Sequence, residues 1–436
     1  NGCFGALGLA LEAGIDLVNL TESQFGIGTR REGFPWNLSG TYVQALPHLY
    51  SLDAQGQEHA FLAEYYRTTQ EMASNIFRKG YQWPFHATRM RDFGSSLIDL
   101  AIVRETQAGR RVFMDFNRNP EAIDLPFALD RLDADVRGYL TTAGAIQARP
   151  IDRLRHMNPL AIELYRRYKV DIAAQPLEFA VNNQHMNGGI AVDVWGRSSL
   201  PGCYAVGEAA GTHGVTRPGG AALNAGQVFG TRVAEDTAGA VTAPGAPDGL
   251  DAALAAVRGA LRPEGMAVKA LKAEIQARMS DHAGILCTAD QVRQARAAAE
   301  ALTARLAAEG VAPARPAEAA RAIQWRQMAL ASQAVLTALD HYIAEGGGSR
   351  GARAICDPAG QGVPDSVHGP LQDYRFREER PADRERQIVI RWNDGQMEVT
   401  CRPNRRLAPT RNFFERDWPA WLTGAIHGTK WPEAPQ

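Results

Sequence analysis

The stretch that most restricts the fold reads THGVTRPGGAALNAGQ, from Thr212 to Gln227. Gly219, Gly220, Ala221 and Ala222 stand where a helix should start, and Arg217 lies just ahead of them. A helix that begins inside an ordinary core takes bulky apolar side chains. A helix N-terminus carries about half a positive charge and free N–H groups, so it draws anionic or electron-rich atoms. Stripped of side chains, this one lets a flat ligand approach the backbone, and Arg217 adds a fixed charge. Upstream, GCYAVGEAAG reads as a buried strand followed by Gly207 and Glu208. A strand, a Gly-Glu step, a small turn and an open helix end make an arrangement that holds a dinucleotide.

The 436 residues give room for two to four domains. A net charge of -1 supplies no field for nucleic acid or an anionic membrane. The five cysteines are scattered and form no CxxC, which argues against a disulfide framework, a zinc site or a cluster held by the chain. No apolar run reaches transmembrane length. The expectation is a reduced, cytoplasmic setting, although the chain opens at Asn1 and so leaves a targeting signal open.

Residues 4–13 are small and apolar and predict a helix ending near Gly14; IDLVNLTESQFG then predicts a strand. TYVQALPHLYSL predicts an edge strand, because Pro47 argues against a central one. From Gln55 to Gly80, Phe61, Leu62, Tyr65, Tyr66, Ile76 and Phe77 recur at helical spacing and predict one amphipathic helix. FGSSLIDLAIVRETQAG predicts a helix ending at Gly109, and RRVFMDF a strand. Two helical stretches are expected over 125–168, and PLEFAVNNQHMNGGIAVD is rich in strand signals. A Pro/Gly linker at Thr242–Gly249 separates this half from Ala/Arg/Leu-rich helices. Thr288 with Gln291 makes a capping box, and Val292, Ala295, Ala299, Leu302 and Leu306 form one stripe ended by Gly310. With Pro316 opening a last long helix, this reads as a three-helix bundle. Asn393-Asp394-Gly395 predicts the turn of a hairpin.

NGGIAVD…LPGCYAVGEAAGTHGVTRPGGAALNAGQVFG resembles the flavoproteins of the fumarate reductase, succinate dehydrogenase and L-aspartate oxidase superfamily. Their pattern is HxxxGGI, a strand ending A-x-G-E, then H-G-x-x-R-x-G and a helix. Here Gly188-Gly189-Ile190, Ala205-Val206-Gly207-Glu208, His213-Gly214 and Arg217 carry it. The resemblance is specific over 184–230, weaker upstream, and reaches GGGSRGA downstream. It implies FAD as cofactor, with Gly188, Gly189, Gly207, Glu208, His213, Arg217, Gly219, Gly220, Ala221, Ala222 and Leu223 around it. The helix dipole and Arg217 would stabilise negative charge on the reduced ring's N1/C2 edge. It also implies an α/β (α+β multidomain) fold: an incomplete Rossmann-like flavin domain (1–23 and 181–241), an inserted capping domain (24–180), a helical bundle (250–346) and a small C-terminal domain (347–436).

The sequence also departs from the family's pattern. The family's GxGxxG strand–turn–helix for the ADP half has no counterpart here. QFHPTG becomes Gln24-Phe25-Gly26-Ile27-Gly28-Thr29, so Gly26 replaces its histidine. Ser96 stands where the proton-delivering arginine is expected, and Gln184 replaces the HxxxGG histidine, with His185 one place along. A doubly anionic substrate needs several cations, and of the dicarboxylate-clamping set Arg217 survives. The expectation is hydride transfer between flavin N5 and a small non-dicarboxylate substrate. Arg217 would polarise it, His185 would carry a proton, and Gln184 and Arg350 would line the site. His213 braces the turn on this reading, and Trp36, Tyr65, Tyr66, Tyr81, Trp83 and Phe85 are core. An electron-transfer partner is expected. The alternative is a non-catalytic subunit or remnant that needs a separate ADP-binding half to hold flavin.

Overall fold

The computed structural model describes residues 4–31, 34, 36–38, 40–238, 249–363, 374–404 and 413–425. The linker expected at 242–249 lies outside them, apart from Gly249. The architecture is mixed, with helices and sheets around separate cores.

The largest core forms around a five-stranded sheet. Its strands are β2 (Ser23–Thr29), β3 (His48–Leu52), β4 (Glu58–His59), β5 (Arg111–Asp115) and β6 (Leu177–Met186), in the order β2-β6-β5-β3-β4. β6 pairs antiparallel with β2 on one side and with β5 on the other. Two expectations change here. Thr41–Gln44 form a helical turn, and β3 starts only after Pro47, which satisfies the rule that proline has no N–H for a ladder. The helix expected from Gln55 to Gly80 divides into β4, a 3-10 turn at Phe61–Glu64 and a helix at Thr69–Lys79. Phe61, Leu62, Tyr65, Tyr66, Ile76 and Phe77 are all buried, but their spacing comes from more than one element. The late start has a local cause: the Thr68 side chain accepts from Glu71 N–H at 3.1 Å and caps the helix there. The Ser96–Gln107 helix ends as expected, with Gly109 at φ 77. Lys79 and Asp99, both 0% exposed, meet across these two helices at 2.5 Å. Three helices, not two, follow: Ala134–Thr142, Pro150–Met157 and Pro159–Arg167.

The second core gathers both ends of the chain. The Ala6–Glu12 helix leads to β1 (Leu17–Val18), which Asn19, at φ 56, separates from β2. Asparagine is among the few residues that tolerate this left-handed backbone, so the one strand expected at IDLVNLTESQFG becomes two, in different sheets. Leu17 of β1 pairs with Ile190 of β7 (Gly189–Ile190) on one side and with Ile390 on the other. Ile390 belongs to the expected hairpin, Arg386–Asn393 with Gln396–Pro403, joined through Asp394 (φ 46) and Gly395 (φ 82).

The bundle packs helices Val268–His282, Ala289–Glu309 and Ala319–Ala344. The middle helix buries the stripe Val292, Ala295, Ala299, Leu302 and Leu306, and Gly310 ends it at φ 75. GCYAVGEAAG, expected as a buried strand, forms isolated bridges (Arg197 with Tyr204, Ile190 with Ala210) around a 3-10 turn at Gly207–Ala209. The helix after Gly220 spans Ala221–Ala238 and buries none of its residues. No helix among the described residues is long and apolar enough to cross a membrane.

Candidate functional site

The site forms where β6 ends against the turn at 207–217. β6 delivers Gln184, His185 and Met186, and the chain then turns through Asn187-Gly188-Gly189. A Cβ on Gly188 would lie 2.1 Å from the Asn19 carbonyl oxygen, and one on Gly189 2.5 Å from that of Ala209. The closest approach of these two glycines is thus to protein backbone, not to open space. Gly188 lets the end of β6 press against the backbone at Asn19, and Gly189 lets it press against the 207–210 turn, which together set the positions of three titratable side chains.

Those three form a chain. The Glu208 carboxylate accepts from Met186 N–H at 3.0 Å and lies 3.2 Å from His185 Nδ1. His185 Nε2 lies 2.9 Å from His213 Nδ1. His185 is 6% and His213 9% exposed, and His213 Nε2 is buried without a partner among the described residues. Both ring nitrogens of His185, the expected proton carrier, are therefore engaged, and the free one is on His213. Burial works to raise the Glu208 carboxyl pKa, but the bonds from His185 and Met186 N–H hold it below the usual range. Burial pushes the His213 imidazole below its ordinary value, His185 and Arg217 push the same way, and Glu208 opposes them.

Arg217 donates from Nη1 to the Pro218 carbonyl at 3.0 Å, while its Nε is buried without a partner. Gln184 Nε2 donates to the Ile27 carbonyl at 3.1 Å, leaving Oε1 buried and unpaired. Gly26, where the resemblance expects a histidine, faces this amide: its Cβ would stand 2.9 Å from Gln184 Oε1 and 2.5 Å from Trp83 Nε1. The Trp83 indole, expected as core, thus fills the missing histidine's place with an unpaired N–H. Asn187 was not legible as a site residue: it is 1% exposed, donates to the Val215 carbonyl at 3.2 Å and keeps Oδ1 unpaired. Glu22 was also missed. It is 2% exposed and lies 2.7 Å from Arg350 Nη2. Arg350 also donates to the Asp383 carbonyl at 2.7 Å, so its charge is matched before any substrate arrives. The buried run Thr21-Glu22-Ser23-Gln24 was the available signal.

The remaining positions lie along the helix start. Gly207 turns at φ 64 with its back to Gly226, Ala221 and Ala222 are half-buried, and Leu223 is exposed. A Cβ on Gly214, Gly219 or Gly220 would meet nothing within 4 Å.

Comparison with known proteins bears on this geometry. Residues 51–223 match the family described as FAD binding domain. A CoM/CoB fumarate reductase chain of Methanothermobacter marburgensis is 47% identical over 64 residues, 14% of this chain and 12% of that one. The L-aspartate oxidase of Streptomyces coelicolor is 36% identical over 90 residues, 20% of this chain and 16% of that one. Among solved structures, a quinol-fumarate reductase with menaquinol molecules covers 93% of this chain with TM-score 0.61 at 16% identity. Mycobacterium smegmatis Sdh1 in complex with UQ1 covers 98% with TM-score 0.61 at 21% identity. The chain spans 63% and 61% of those two chains.

FAD is the cofactor that the matched family implies, and the residues present fit its ring edge. Open backbone stands at Gly214, Gly219 and Gly220 before a helix N-terminus, beside two buried, unpaired nitrogens, Arg217 Nε and His213 Nε2. The chain thus matches an FAD binding domain family over residues 51–223, is similar over short stretches to a fumarate reductase chain and an L-aspartate oxidase, and shares its fold with a quinol-fumarate reductase and Sdh1 over nearly its whole length.

Proposed function

We propose that this chain carries the active site of a flavin-dependent oxidoreductase whose small substrate is not a dicarboxylate. When bound, FAD supplies a two-electron redox centre. The protein's part is to bind, orient and exchange protons. Arg217 polarises the substrate from the open helix end. The Gln184 carbonyl and the Trp83 N–H offer it one acceptor and one donor, in the space that Gly26 leaves. Residues 24–180 act as a capping domain that excludes water from this space.

One observation carries the reading: the charge count around the site. Arg217 makes no ion pair among the described residues, whereas Arg350 is matched by Glu22, and Gly26, Ser96 and Gln184 are uncharged. Arg353 also lacks an ion pair among the described residues, but it is buried and spends its donors on the Thr21, Ala283 and Gly284 carbonyls and on Ser23 Oγ, so Arg217 is left for a single carboxylate or a carbonyl, not two carboxylates. The test is the visible spectrum of the purified protein, followed by substrate screening. Bands near ~370 and ~450 nm mark oxidised flavin. Bleaching of the upper band by a monoacid, alcohol or amide, with none by succinate or aspartate, is expected. Bleaching by succinate or aspartate would refute the substrate class.

A second reading rests on the Ala221–Ala238 helix, which buries none of its residues and leaves Leu223 82% exposed. On this reading the chain is a non-catalytic subunit or remnant that holds FAD only once an ADP-binding half covers that helix. A featureless spectrum from folded protein would favour it.

A further inference from the structure

We propose that Glu208, His185 and His213 form a proton relay in which Nε2 of His213 is the proton-accepting atom of the site. The proposal rests on the oxidoreductase reading above and assigns the residue that takes the proton. His213 is then a catalytic residue, and His185 and Glu208 are positioning residues.

The argument is one of tautomers. An ionised carboxylate only accepts hydrogen bonds. Glu208, 3.2 Å from His185 Nδ1, therefore requires the proton of neutral His185 on Nδ1. His185 Nε2 is then a lone pair, and at 2.9 Å it requires a proton on His213 Nδ1. With that nitrogen protonated, neutral His213 presents a lone pair at Nε2. That atom is buried and has no partner among the described residues. A carboxylate at one end of the chain thus sets a base at the other.

Charge supports a neutral acceptor. Burial does most to disfavour protonation of His213, Arg217 adds to it, and Glu208 partly offsets them; with His185 neutral, its ring brings no charge of its own. Once His213 takes a proton, Glu208 stabilises the cation through His185.

The chemistry follows from the acceptor. A bound flavin would be the oxidant, taking up the hydride that leaves the substrate carbon. The substrate loses a proton from the neighbouring oxygen, nitrogen or carbon to His213 Nε2. The C–H electron pair would leave with the hydride, and the pair of the bond that gave up its proton would become the new π bond; His213 would then pass its Nδ1 proton to His185 Nε2, and His185 its Nδ1 proton to Glu208. The substrate class is thus a small alcohol, amine or activated C–H compound with at most one carboxylate. Arg217, next to this relay, would hold the developing negative charge.

Glu208→Gln tests the relay without relying on turnover. Met186 N–H, 3.0 Å from Oε1, holds the amide oxygen and so turns the amide NH2 toward His185 Nδ1. Every proton in the chain then reverses, and His213 Nε2 becomes N–H. The readout is 15N NMR of the full chain with labelled histidine, assigned with His185→Asn and His213→Asn. The native protein at neutral pH is expected to show both rings protonated at Nδ1, and Glu208→Gln both at Nε2. An Nε2–H ring at His213 in the native protein would overturn the relay, and that measurement stands even if the variant fails to fold. Unchanged tautomers in a folded Glu208→Gln protein would do the same. In turnover, Glu208→Gln should lower kcat by roughly 10²-fold or more with little change in KM. A flavin-free protein with the expected tautomers would sink the oxidoreductase reading and leave the relay standing.

Discussion

Replacing Lys79 by Met should be among the most damaging single changes in the sheet-bearing core, and replacing its partner as well should repair most of the damage. Lys79 and Asp99 are both 0% exposed, and their charged atoms stand 2.5 Å apart. Neither the ammonium nor the carboxylate makes a well-aligned hydrogen bond to any other group among the described residues. Burial pushes the Lys79 pKa down and the Asp99 pKa up, so each is held ionised mainly by the other. Removing one member of such a pair costs about 3–5 kcal/mol, because the other charge stays buried alone, while an apolar replacement of both is often near neutral. At 1.36 kcal/mol per power of ten, that cost is roughly two to four powers of ten in the local opening equilibrium. Native-state hydrogen exchange on peptides from Thr69–Lys79 and Ser96–Gln107 would read it directly. Lys79→Met should lose protection by that factor, and Lys79→Met with Asp99→Leu should regain most of it. If the single variant lost less than about 1 kcal/mol, or the double variant lost as much as the single, the charges would not be coupled as described.

Two further outcomes follow from the geometry. Gly188→Ala puts a Cβ 2.1 Å from the Asn19 carbonyl, which is backbone and cannot swing away. A loss of about 1–3 kcal/mol or more is expected in thermal or urea unfolding, together with weaker flavin retention; a variant of native stability would refute the close packing. His48, His86 and His213 all have folded pKa values below 6.5, each mainly through burial. For such groups the unfolded chain takes up protons first, so their contribution is complete above 6.5 and is lost as pH falls from 6.5 toward the folded values. The urea midpoint should drop between pH 7.5 and 5.5, before most carboxylates titrate, and His48→Gln should flatten the drop; a midpoint that rises on acidification would contradict it.

Local chemistry made much of the fold legible. The Asp394-Gly395 turn, the stripe on the middle bundle helix and the side-chain-free start at Gly220 each rest on residues a few places apart. The failures had local causes as well, at Asn19 and at Thr68, where one residue's backbone or cap overruled a longer pattern. The site was legible in its parts but not in its connections. His185, Glu208 and His213 were all visible as candidates, yet their order depends on how β6 lies against the 207–217 turn. Two glycines, not the functional residues themselves, decide that. The partner of Arg350 was hidden for the same reason: Glu22, which matches its charge, is 328 positions away.

The route by which the two ends of the chain meet has a consequence for synthesis. The β1 strand can find Ile190 as soon as that residue has left the ribosome, but its other edge waits for Ile390. The Arg350–Glu22 pair spans 328 positions and the Arg391–Asp16 pair 375. The loops on which His185 and Glu208 depend are therefore braced only once residues 350–391 have been made. A nascent chain stopped before residue 350 would hold a complete set of relay residues on an unsupported frame, and stalled or prematurely terminated products should be open to proteolysis around the segment that matters most.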